Sequence, residues 1–500
     1  MWNIVIGLET HVQLKTNSKI FSAASTEYGS NVNEQVNFVD AGLPGVLPVL
    51  NKSAVTSAIR FGVAVKAEIS RSSIFARKNY FYPDLPKGYQ ISQFESPIVV
   101  GGEVEVELDK KRNFVVDLVR AHLEEDAGKS VHEGVDCLPK GCSGIDLNRA
   151  GMPLLEIVTQ PCMSSAQQAV AYAKTLHRLV TWIDICDGNM QEGSFRIDAN
   201  VSVRRSENEK LGTRCEIKNL NSFRFLERAI KVEAERQIYL IENGQIVVQQ
   251  TRLFDPVADE TRAMRSKEDA NDYRYFPDPD LPKLVIENSW IEKVNKEIPE
   301  LPKKTKMKFE KILNLNEEVS EALVSKRSIA IFFEETLRIF CESSQSESNV
   351  SEINDLTCKR AKLLANWMLG ELFSNLNKES LEITESKIKP DRLAVLLKKV
   401  EDGTLSNKTA KELFYTLWGG NTDDIEEIIK SKGLSQIQNN DELAQFIEQT
   451  INKNEKMVAE IKSGKDKALN SLVGQVMGAS QGRANPKTVR NLLITKINSL

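Results

Sequence analysis

Several signatures of secreted and membrane proteins are missing from this sequence. No window approaches the 18 consecutive apolar residues that suggest a transmembrane helix. The opening residues, MWNIVIGLETHVQL, have no basic stretch followed by an apolar run, and no Arg-rich leader. The seven cysteines are scattered and odd in number, which favours a reducing compartment over a disulfide scaffold. We therefore expect a cytoplasmic protein that does not bind membranes, and a bacterial cytoplasm is favoured over a mitochondrial matrix.

The usual motifs for nucleotide binding and for glutamine hydrolysis are also absent. No G-x-x-x-x-G-K-[ST] run occurs, and no G-x-G-x-x-G follows a predicted strand, so any ATP must be bound by another architecture. The chain has no Cys–His pair at a recognisable spacing, no amino-terminal cysteine nucleophile and no serine-rich stretch typical of amidases. If the protein uses ammonia, the ammonia must come from elsewhere.

One pair of cysteines is close enough in sequence to raise the question of zinc. Four residues separate Cys137 from Cys142, and no second pair lies nearby. A structural zinc site normally needs four ligands. We favour a loop with two free thiols, with a zinc site as the alternative.

Charge is distributed unevenly along the chain. The net charge of −4 argues against general nucleic-acid binding, yet residues 453–500 contain nine Lys or Arg and three Asp or Glu. A basic end on an acidic chain suggests one domain that contacts phosphate. The alternative is a solvated helix surface.

The texture of the sequence changes near its middle. Up to about Leu284 it shows period-two alternation with frequent turn residues, and afterwards it is rich in Lys, Glu, Leu and Asn with helical periodicity. Five hundred residues are too many for one compact core. We therefore predict an α+β protein with an antiparallel-sheet domain at 1–295, a helical domain at 296–430 and a helical tail at 431–500. Ser406 is the predicted N-cap of a helix in the second domain.

Two predicted strands each have one apolar and one polar face. In the first strand, alternation places Glu9 and His11 on the polar face. The segment FRIDANVSVR repeats the pattern, with Arg196 and Asp198 on its polar face. A sheet that keeps one face apolar and gathers charges on the other can form a charged cleft.

Further acidic residues occur near these strands in sequence. They are Glu124 and Glu125 in HLEEDAG, Glu156 in LNRAGMPLLEIV, and Glu216, which precedes Lys218. Carboxylates that gather need cations, and oxygen ligands with one histidine suit Mg²⁺, which neutralises nucleotide phosphates. The alternative is a salt-bridged sheet face exposed to water.

The segment RKNYFYPDLPKGYQISQ combines aromatic and basic side chains. Four aromatics occur among Arg77, Lys78, Lys87 and Gln90. Cations can bind phosphates, and tyrosines can stack on a base or ribose. The alternative is an ordinary surface loop.

With these segments the sequence resembles the B subunits of GatCAB-type glutamyl- or aspartyl-tRNA amidotransferases, along nearly the whole chain. The resemblance is carried by IGLETHVQL, DAGLPGVLPVLN, KNYFYPDLPKGYQISQ, HLEEDAGKS, DLNRAGMPLLEIV, GNMQEGSFRIDANVSVR, EIKNLNSFRF, DYRYFPDPDLP and LVGQVMGASQGRANP. It implies a cradle domain similar in fold to glutamine synthetase and guanidino kinases, followed by a helical domain and a tail that contacts tRNA.

The resemblance also implies an activity and partners. The cradle transfers the γ-phosphate of ATP to the side-chain carboxylate of Glu-tRNA(Gln) or Asp-tRNA(Asn), and ammonia then displaces the phosphate. The ammonia arrives through a channel from the A subunit, an amidase, and a small C subunit clasps both. The missing glutaminase motif is then supplied by a partner.

Site residues are assigned by the same resemblance. The implied Mg²⁺ ligands are Glu9, His11, Glu125 and Glu156, with Glu124, Glu192 and Asp198 as further candidates. The residues implied to steady phosphate or the acyl-phosphate are Arg196 and Lys218. The residues implied to contact ATP are Lys78, Tyr80, Tyr82 and Lys87. Two positions depart from the family pattern, namely Gln191, where an acid is expected, and Asn271, where His is frequent.

Two rival interpretations remain. A tRNA-binding adaptor could keep the fold without the chemistry. Glu9, His11, Glu125 and Asp198 argue against it, since an adaptor has no use for a metal-binding face. A related archaeal subunit works with an asparaginase-like partner and carries an extra domain before its tail, for which we see no counterpart here.

Overall fold

The computed structural model describes most of the chain. The described residues are 2–109, 112–132, 138–139, 141–266, 273–342, 355–434, 440–462, 466–480, 484 and 486–499. They divide into two compact units, residues 1–302 and 303–500.

The first unit contains every strand in the described part of the chain. The strands are β1 (Asn3–Gln13), β2 (Glu68–Ile69), β3 (Ser72–Ser73), β4 (Ala76–Asn79), β5 (Tyr89–Ser92), β6 (Val99–Val100), β7 (Glu103–Asp109), β8 (Arg112–Glu125), β9 (Lys129–Val131), β10 (Gly144–Asp146), β11 (Pro153–Thr159), β12 (Phe195–Arg204), β13 (Cys215–Lys218), β14 (Gln250–Asp255), β15 (Glu260–Ser266), β16 (Phe276–Pro277) and β17 (Leu284–Val285). Its helices are α1 (Lys52–Ala64), α2 (Ala166–Trp182), α3 (Phe223–Glu242) and α4 (Asn288–Glu297).

A ten-stranded sheet organises this unit. Its order is β15-β14-β13-β12-β1-β11-β8-β6-β2, and β7 pairs with β8 outside that path. All pairs are antiparallel except β13 with β14, which run parallel. The first strand of the chain therefore lies at the centre, between β11 and β12.

The core lies on the apolar face of this sheet. In β1, Ile6, Leu8 and Val12 are fully buried, as alternation predicts, and Ile4 is partly buried. Helices α2 and α3 pack against each other, and α3 packs on β12. Their buried residues, such as Leu176 and Ile230, join the same cluster. Because the helices cover this face, the other face is left for polar side chains.

All regular elements among the described residues of the second unit are helices or helical turns. Its helices are α5 (Pro302–Lys311), α6 (Glu317–Leu323), α7 (Arg327–Cys341), α8 (Asp355–Trp367), α9 (Phe373–Glu379), α10 (Pro390–Glu401), α11 (Asn407–Trp418), α12 (Ile425–Ser431), α13 (Asn440–Lys453), α14 (Glu455–Lys462), α15 (Asp466–Ala479) and α16 (Pro486–Ser499), with a π-helical segment at Met368–Leu372 and a 3₁₀ turn at Ile383–Glu385. Ser406 caps α11 by accepting a hydrogen bond from Thr409 N, as predicted. Helices α13 to α16 share a core of their own.

The α+β class and the change from strands to helices are confirmed. The last strand ends at Val285, next to the predicted change at Leu284. The main predicted boundary, at 295, lies close to the division at 302, whereas the division of the helical part at 430 stays a prediction. None of the helices in the described residues combines the length and apolar character needed to span a membrane.

Candidate active site

Five neighbouring strands build one polar surface, in the order β13, β12, β1, β11 and β8. Across it, His11 lies opposite Glu156 on β11 and Arg196 on β12. Glu156 in turn lies opposite His122 on β8. Directly opposed side chains in an antiparallel pair point to the same face, so sheet register alone brings these groups together.

A compact set of two histidines and two carboxylates lies at the centre of this surface. His11 Nε2 is 3.5 Å from Glu156 Oε2 and 3.6 Å from Glu124 Oε1. His122 Nε2 is 3.3 Å from Glu156 Oε2 and 3.7 Å from Glu124 Oε2. We call these four residues the His–Glu cluster. Each imidazole thus lies between the same two carboxylates.

The electrostatics of the cluster follow from these contacts. Burial alone would lower the pKa of both histidines, but the Glu156 and Glu124 carboxylates raise it, for His122 to about 9. Burial would raise the pKa of Glu156, but the two imidazoles hold it well below its usual range. Glu156 is therefore a carboxylate at neutral pH. Its negative charge and that of Glu124 favour positively charged groups within the cluster.

Three members of the cluster are placed to hold a metal ion. Potential ligand atoms of His11, Glu124 and Glu156 all lie within 4.8 Å of one another. Carboxylate oxygens with an imidazole nitrogen are a donor set that divalent cations accept. The residues present therefore fit the predicted metal, and Glu124 lies in the candidate set of ligands.

Glu125 is adjacent to Glu124 but makes different contacts. Its carboxylate oxygens are both 2.5 Å from Lys87 Nζ, and one accepts a hydrogen bond from Ile91 N at 2.8 Å. Burial raises the pKa of Glu125, against the lowering effect of Lys87. Consecutive residues of a strand point in opposite directions, so the structure does not bring Glu125 together with His11. Its proposed role as a ligand stays a prediction.

Glu9 and Asp198 lie beside the cluster, opposite each other on β1 and β12. Asn200 Nδ2 donates to Glu9 Oε1 at 2.9 Å. Burial and the nearby carboxylates of Glu156, Glu216 and Asp198 raise the pKa of Glu9. This side of the surface is thus rich in negative charge.

Two cations, Arg196 and Lys218, border the surface, and their role in steadying phosphate stays a prediction. Lys218 Nζ lies 2.6 Å from Asp198 Oδ2 and 3.0 Å from Glu216 Oε1. Arg196 Nη2 lies 2.7 Å from Asp126 Oδ2. Burial would lower the pKa of each cation, but its carboxylate partners raise it, so both stay charged.

The predicted ATP-contacting residues form an aromatic and basic region next to β8. Lys78 Nζ lies 4.9 Å from the ring centre of Tyr273 and 5.9 Å from that of Tyr80, and the rings of Tyr80 and Tyr82 are 5.9 Å apart. Burial would lower the pKa of Lys78, but Glu124 and other neighbours raise it. We call Lys78, Tyr80, Tyr82 and Tyr273 the Lys–Tyr region.

Three remaining sequence expectations concern peripheral residues. Glu192 and Gln191 are exposed in the turn before β12, where the amides of both lie within reach of Asn189 Oδ1. Asn271 lies outside the described residues, as does Cys137, while Cys142 is an exposed free thiol. A metal-binding role for Glu192 and the nature of the cysteine pair both stay predictions.

Sequence reasoning missed His122. It is 4% exposed and contacts both carboxylates of the cluster. The signal was present in HLEED, because His122 and Glu124 are two residues apart and so share one face of the strand. The sequence does not predict the pairing of β8 with β11, which places this face beside Glu156.

Family models and individual relatives identify the same protein family. Residues 4–292 match the GatB/GatE catalytic domain, and residues 347–497 match the GatB domain. Relatives named as the B subunit of an aspartyl/glutamyl-tRNA(Asn/Gln) amidotransferase include those of Polynucleobacter asymbioticus (54% identity) and Paraburkholderia xenovorans (53%), each aligned over 99% of both chains. That of Ralstonia pickettii is 54% identical over 100% of this chain and 99% of its own. The chain therefore belongs to the GatB family of tRNA-dependent amidotransferase B subunits.

Proposed function

We propose that this chain uses ATP to phosphorylate the side-chain carboxylate of Glu-tRNA(Gln), Asp-tRNA(Asn) or both, and that ammonia then forms Gln-tRNA(Gln) or Asn-tRNA(Asn). The observation that carries the proposal is the His–Glu cluster at the centre of a polar sheet face. A tRNA-binding adaptor would have no need for two carboxylates held between two histidines. The names of the relatives support the same substrates.

His11, Glu124 and Glu156 are the proposed Mg²⁺ ligands. Their donor atoms lie within 4.8 Å of one another, and a bound metal ion takes the place of the proton between the His11 imidazole and the carboxylates. A bound Mg²⁺ supplies charge neutralisation at the phosphoryl oxygens. Glu9 and Asp198, which face each other beside the cluster, are proposed as further ligands.

The remaining roles follow from chemistry and position. A carboxylate oxygen is a poor leaving group, and phosphorylation turns it into a good one. Arg196 and Lys218 are charged and border the cluster, so they are proposed to steady the phosphate and the acyl-phosphate. The Lys–Tyr region is proposed to hold ATP, with Lys78 near the phosphates and tyrosines near the nucleoside. Lys87, whose Nζ lies 2.5 Å from Glu125 Oε2, is also proposed to contact ATP.

The wider setting is part of the proposal. No glutamine-hydrolysing motif occurs in the sequence, so ammonia is taken from an amidase A subunit, and a small C subunit completes a heterotrimer. The sheet with helices on one face is proposed to share its fold with glutamine synthetase and guanidino kinases. We place the enzyme in the bacterial cytoplasm, in keeping with its bacterial relatives.

The test is amide formation on each misacylated tRNA with ATP and Mg²⁺. The chain is assayed with its A and C subunits and glutamine, and then by itself with ammonium. We expect amidation in both settings, and an ammonium-dependent reaction would place the phosphorylation on this chain. Complete inactivity of the assembled trimer would favour the adaptor.

A matched pair of variants tests the carrying observation. Glu156→Gln removes a charge from the His–Glu cluster, and we expect amidation to fall at least about a hundredfold. Glu235→Gln is the control, because Glu235 is exposed on α3, the helix that packs on the opposite, apolar face of the sheet. Equal activity of the Glu156→Gln variant and the wild type would contradict the assignment.

A further inference from the structure

A recess opens on the polar sheet face, beside the His–Glu cluster. It has a volume of about 360 Å³ and is lined by residues of β1, β11 and β12 together with residues 211–214. Val5, Pro161 and Leu211 give it apolar walls, and Asn200 and Ser202 give it hydrogen-bonding groups. Apolar walls with a few polar groups are typical of small-ligand sites. We call it the β1 pocket.

The β1 pocket shares a strand with the proposed reaction centre. Gly7 and Glu9 line it, and His11 follows two residues later on the same face of β1. At the rise of an extended strand, Gly7 and His11 are about 13 Å apart. A molecule seated over Gly7 can therefore extend a short chain to the cluster.

The Lys–Tyr region lies on the other side of the cluster. Register places Leu154 opposite both Gln13 and Glu124, so Glu124 lies level with the end of β1, away from Gly7. Glu124 is the charged group that does most to raise the pKa of Lys78, against the lowering effect of burial. In phosphoryl transfer the attacking and leaving oxygens lie roughly in line, so donor and acceptor approach from opposite sides. The two regions offer these two approaches.

Charge distinguishes what each region can bind. Among the described residues that line the β1 pocket, Arg214 is the single cation and Glu9 the single carboxylate. A triphosphate needs more cations than this, and the Lys–Tyr region is the more basic of the two. The β1 pocket suits a neutral nucleoside, whose base and ribose need apolar walls and hydrogen-bonding groups more than they need cations.

We propose that the β1 pocket holds the 3′-terminal aminoacyl-adenosine of the tRNA, with its base over Gly7 and its side-chain carboxylate directed at the His–Glu cluster. This proposal rests on the proposed function and names the site of one of its substrates. ATP also contains adenosine, so the test must separate the two sources. The separation is possible because the two substrates have independent KM values.

The principal variant is Gly7→Val, studied in the assembled trimer. A Cβ at Gly7 would meet Pro161 Cα at 3.6 Å and Thr159 O at 3.7 Å, which are ordinary contacts, so the strand can accept it. The added methyl groups then occupy the pocket. We expect the KM for misacylated tRNA to rise about tenfold or more, since stacking of one base contributes about 1–3 kcal/mol, with little change in the KM for ATP.

A second variant guards against a folding defect. Leu211 is 56% exposed at the rim, so Leu211→Ala removes a wall of the pocket without creating a core cavity. We expect the same selective effect, smaller in size. Thermal unfolding of both variants checks the fold. As a control on the other side of the cluster, Tyr82→Leu is expected to raise the KM for ATP instead.

Direct binding separates this inference from the proposed function. The probe is 3′-deoxy-3′-(L-glutamylamino)adenosine, an amide that mimics the aminoacyl end and resists hydrolysis. We expect it to compete with misacylated tRNA and not with ATP, and to lose this competition in Gly7→Val. If the wild type amidates tRNA but Gly7→Val raises only the KM for ATP, or alters neither KM, the inference is overturned. An inactive wild type would overturn the proposed function itself.

Discussion

At the residue scale, the site depends on which of two adjacent glutamates faces the histidines. Glu124 lies 3.6 Å from His11, while Glu125 is held by Lys87 on the other side of the strand. The sequence predicts that both are important but not that they differ. The two residues are chemically identical, and their side chains point to opposite faces of β8. The contacts of β8 with its neighbours therefore determine which glutamate faces the histidines.

This difference gives a direct prediction. Glu124→Gln should weaken binding of Mn²⁺, used as a spectroscopic substitute for Mg²⁺, at least about tenfold, because it removes a charged ligand. Glu125→Gln should leave Mn²⁺ affinity nearly unchanged and lower stability, because buried Lys87 loses its partner. Mn²⁺ titration followed by electron paramagnetic resonance measures both. The opposite order of affinities would restore Glu125 as the ligand.

A second residue-scale prediction concerns pH. The pKa of His122 is raised from 6.5 to about 9 by its carboxylate neighbours, against the effect of burial. A raised pKa stabilises the folded state fully below pH 6.5, and this contribution is lost as pH rises to about 9. In the absence of divalent ions, the His122→Gln variant should therefore lose on the order of 3 kcal/mol at about pH 6 and little at about pH 9.5.

Denaturant unfolding of wild type and variant at the two pH values measures this difference. His132→Gln serves as the control, since His132 is exposed and its Nδ1 lies 2.7 Å from Ser143 Oγ. A stability difference that does not change with pH would contradict the proposed origin of the shift.

At the scale of elements, α3 is attached to the sheet by a buried ionic group. Glu233 is fully buried and accepts hydrogen bonds from Arg236, Gln237 and Thr261, while Arg252 Nε lies 3.2 Å away. These contacts join the helix to β14 and β15. The contacts fix β14 and β15, the two edge strands that follow β13 in the sheet. They therefore support the position of Lys218 on β13.

Removing this carboxylate should be costly. Glu233→Ala leaves Arg252 buried without its counter-charge, and we expect a loss of about 3–5 kcal/mol in the free energy of unfolding. Glu235→Ala, two residues along the same helix and exposed, should change stability by less than about 0.5 kcal/mol. Denaturant unfolding compares the two, and similar losses would show that the buried group does not anchor α3.

At the scale of the whole molecule, the chain places its acidic and basic character in different parts. The polar face of the first unit gathers carboxylates, whereas residues 453–500 are basic. Lys456 and Arg490 are exposed among the described residues of that segment. The basic segment is suited to the phosphates of a nucleic-acid backbone, and the acidic face is suited to metal ions.

Salt dependence tests the basic segment. Lys456→Gln combined with Arg490→Gln should weaken tRNA binding and reduce the slope of log K against log salt by about 0.7–0.9 for each phosphate that is no longer neutralised. Lys293→Gln combined with Lys296→Gln, which changes two exposed lysines of α4, is the charge-matched control. Filter binding across a salt series measures both. An unchanged slope in the first variant would contradict a role in tRNA contact.

The sequence by itself determined the strand-to-helix order, the α+β class and the polar faces of β1 and β12, because alternation and capping are local properties. It also carried the family resemblance. Only the tertiary structure decided that His122 joins His11, that Glu124 and not Glu125 faces them, and that a pocket opens over Gly7. These depend on pairing between strands that are far apart in sequence, and a shift of one residue in that register would turn every side chain to the other face.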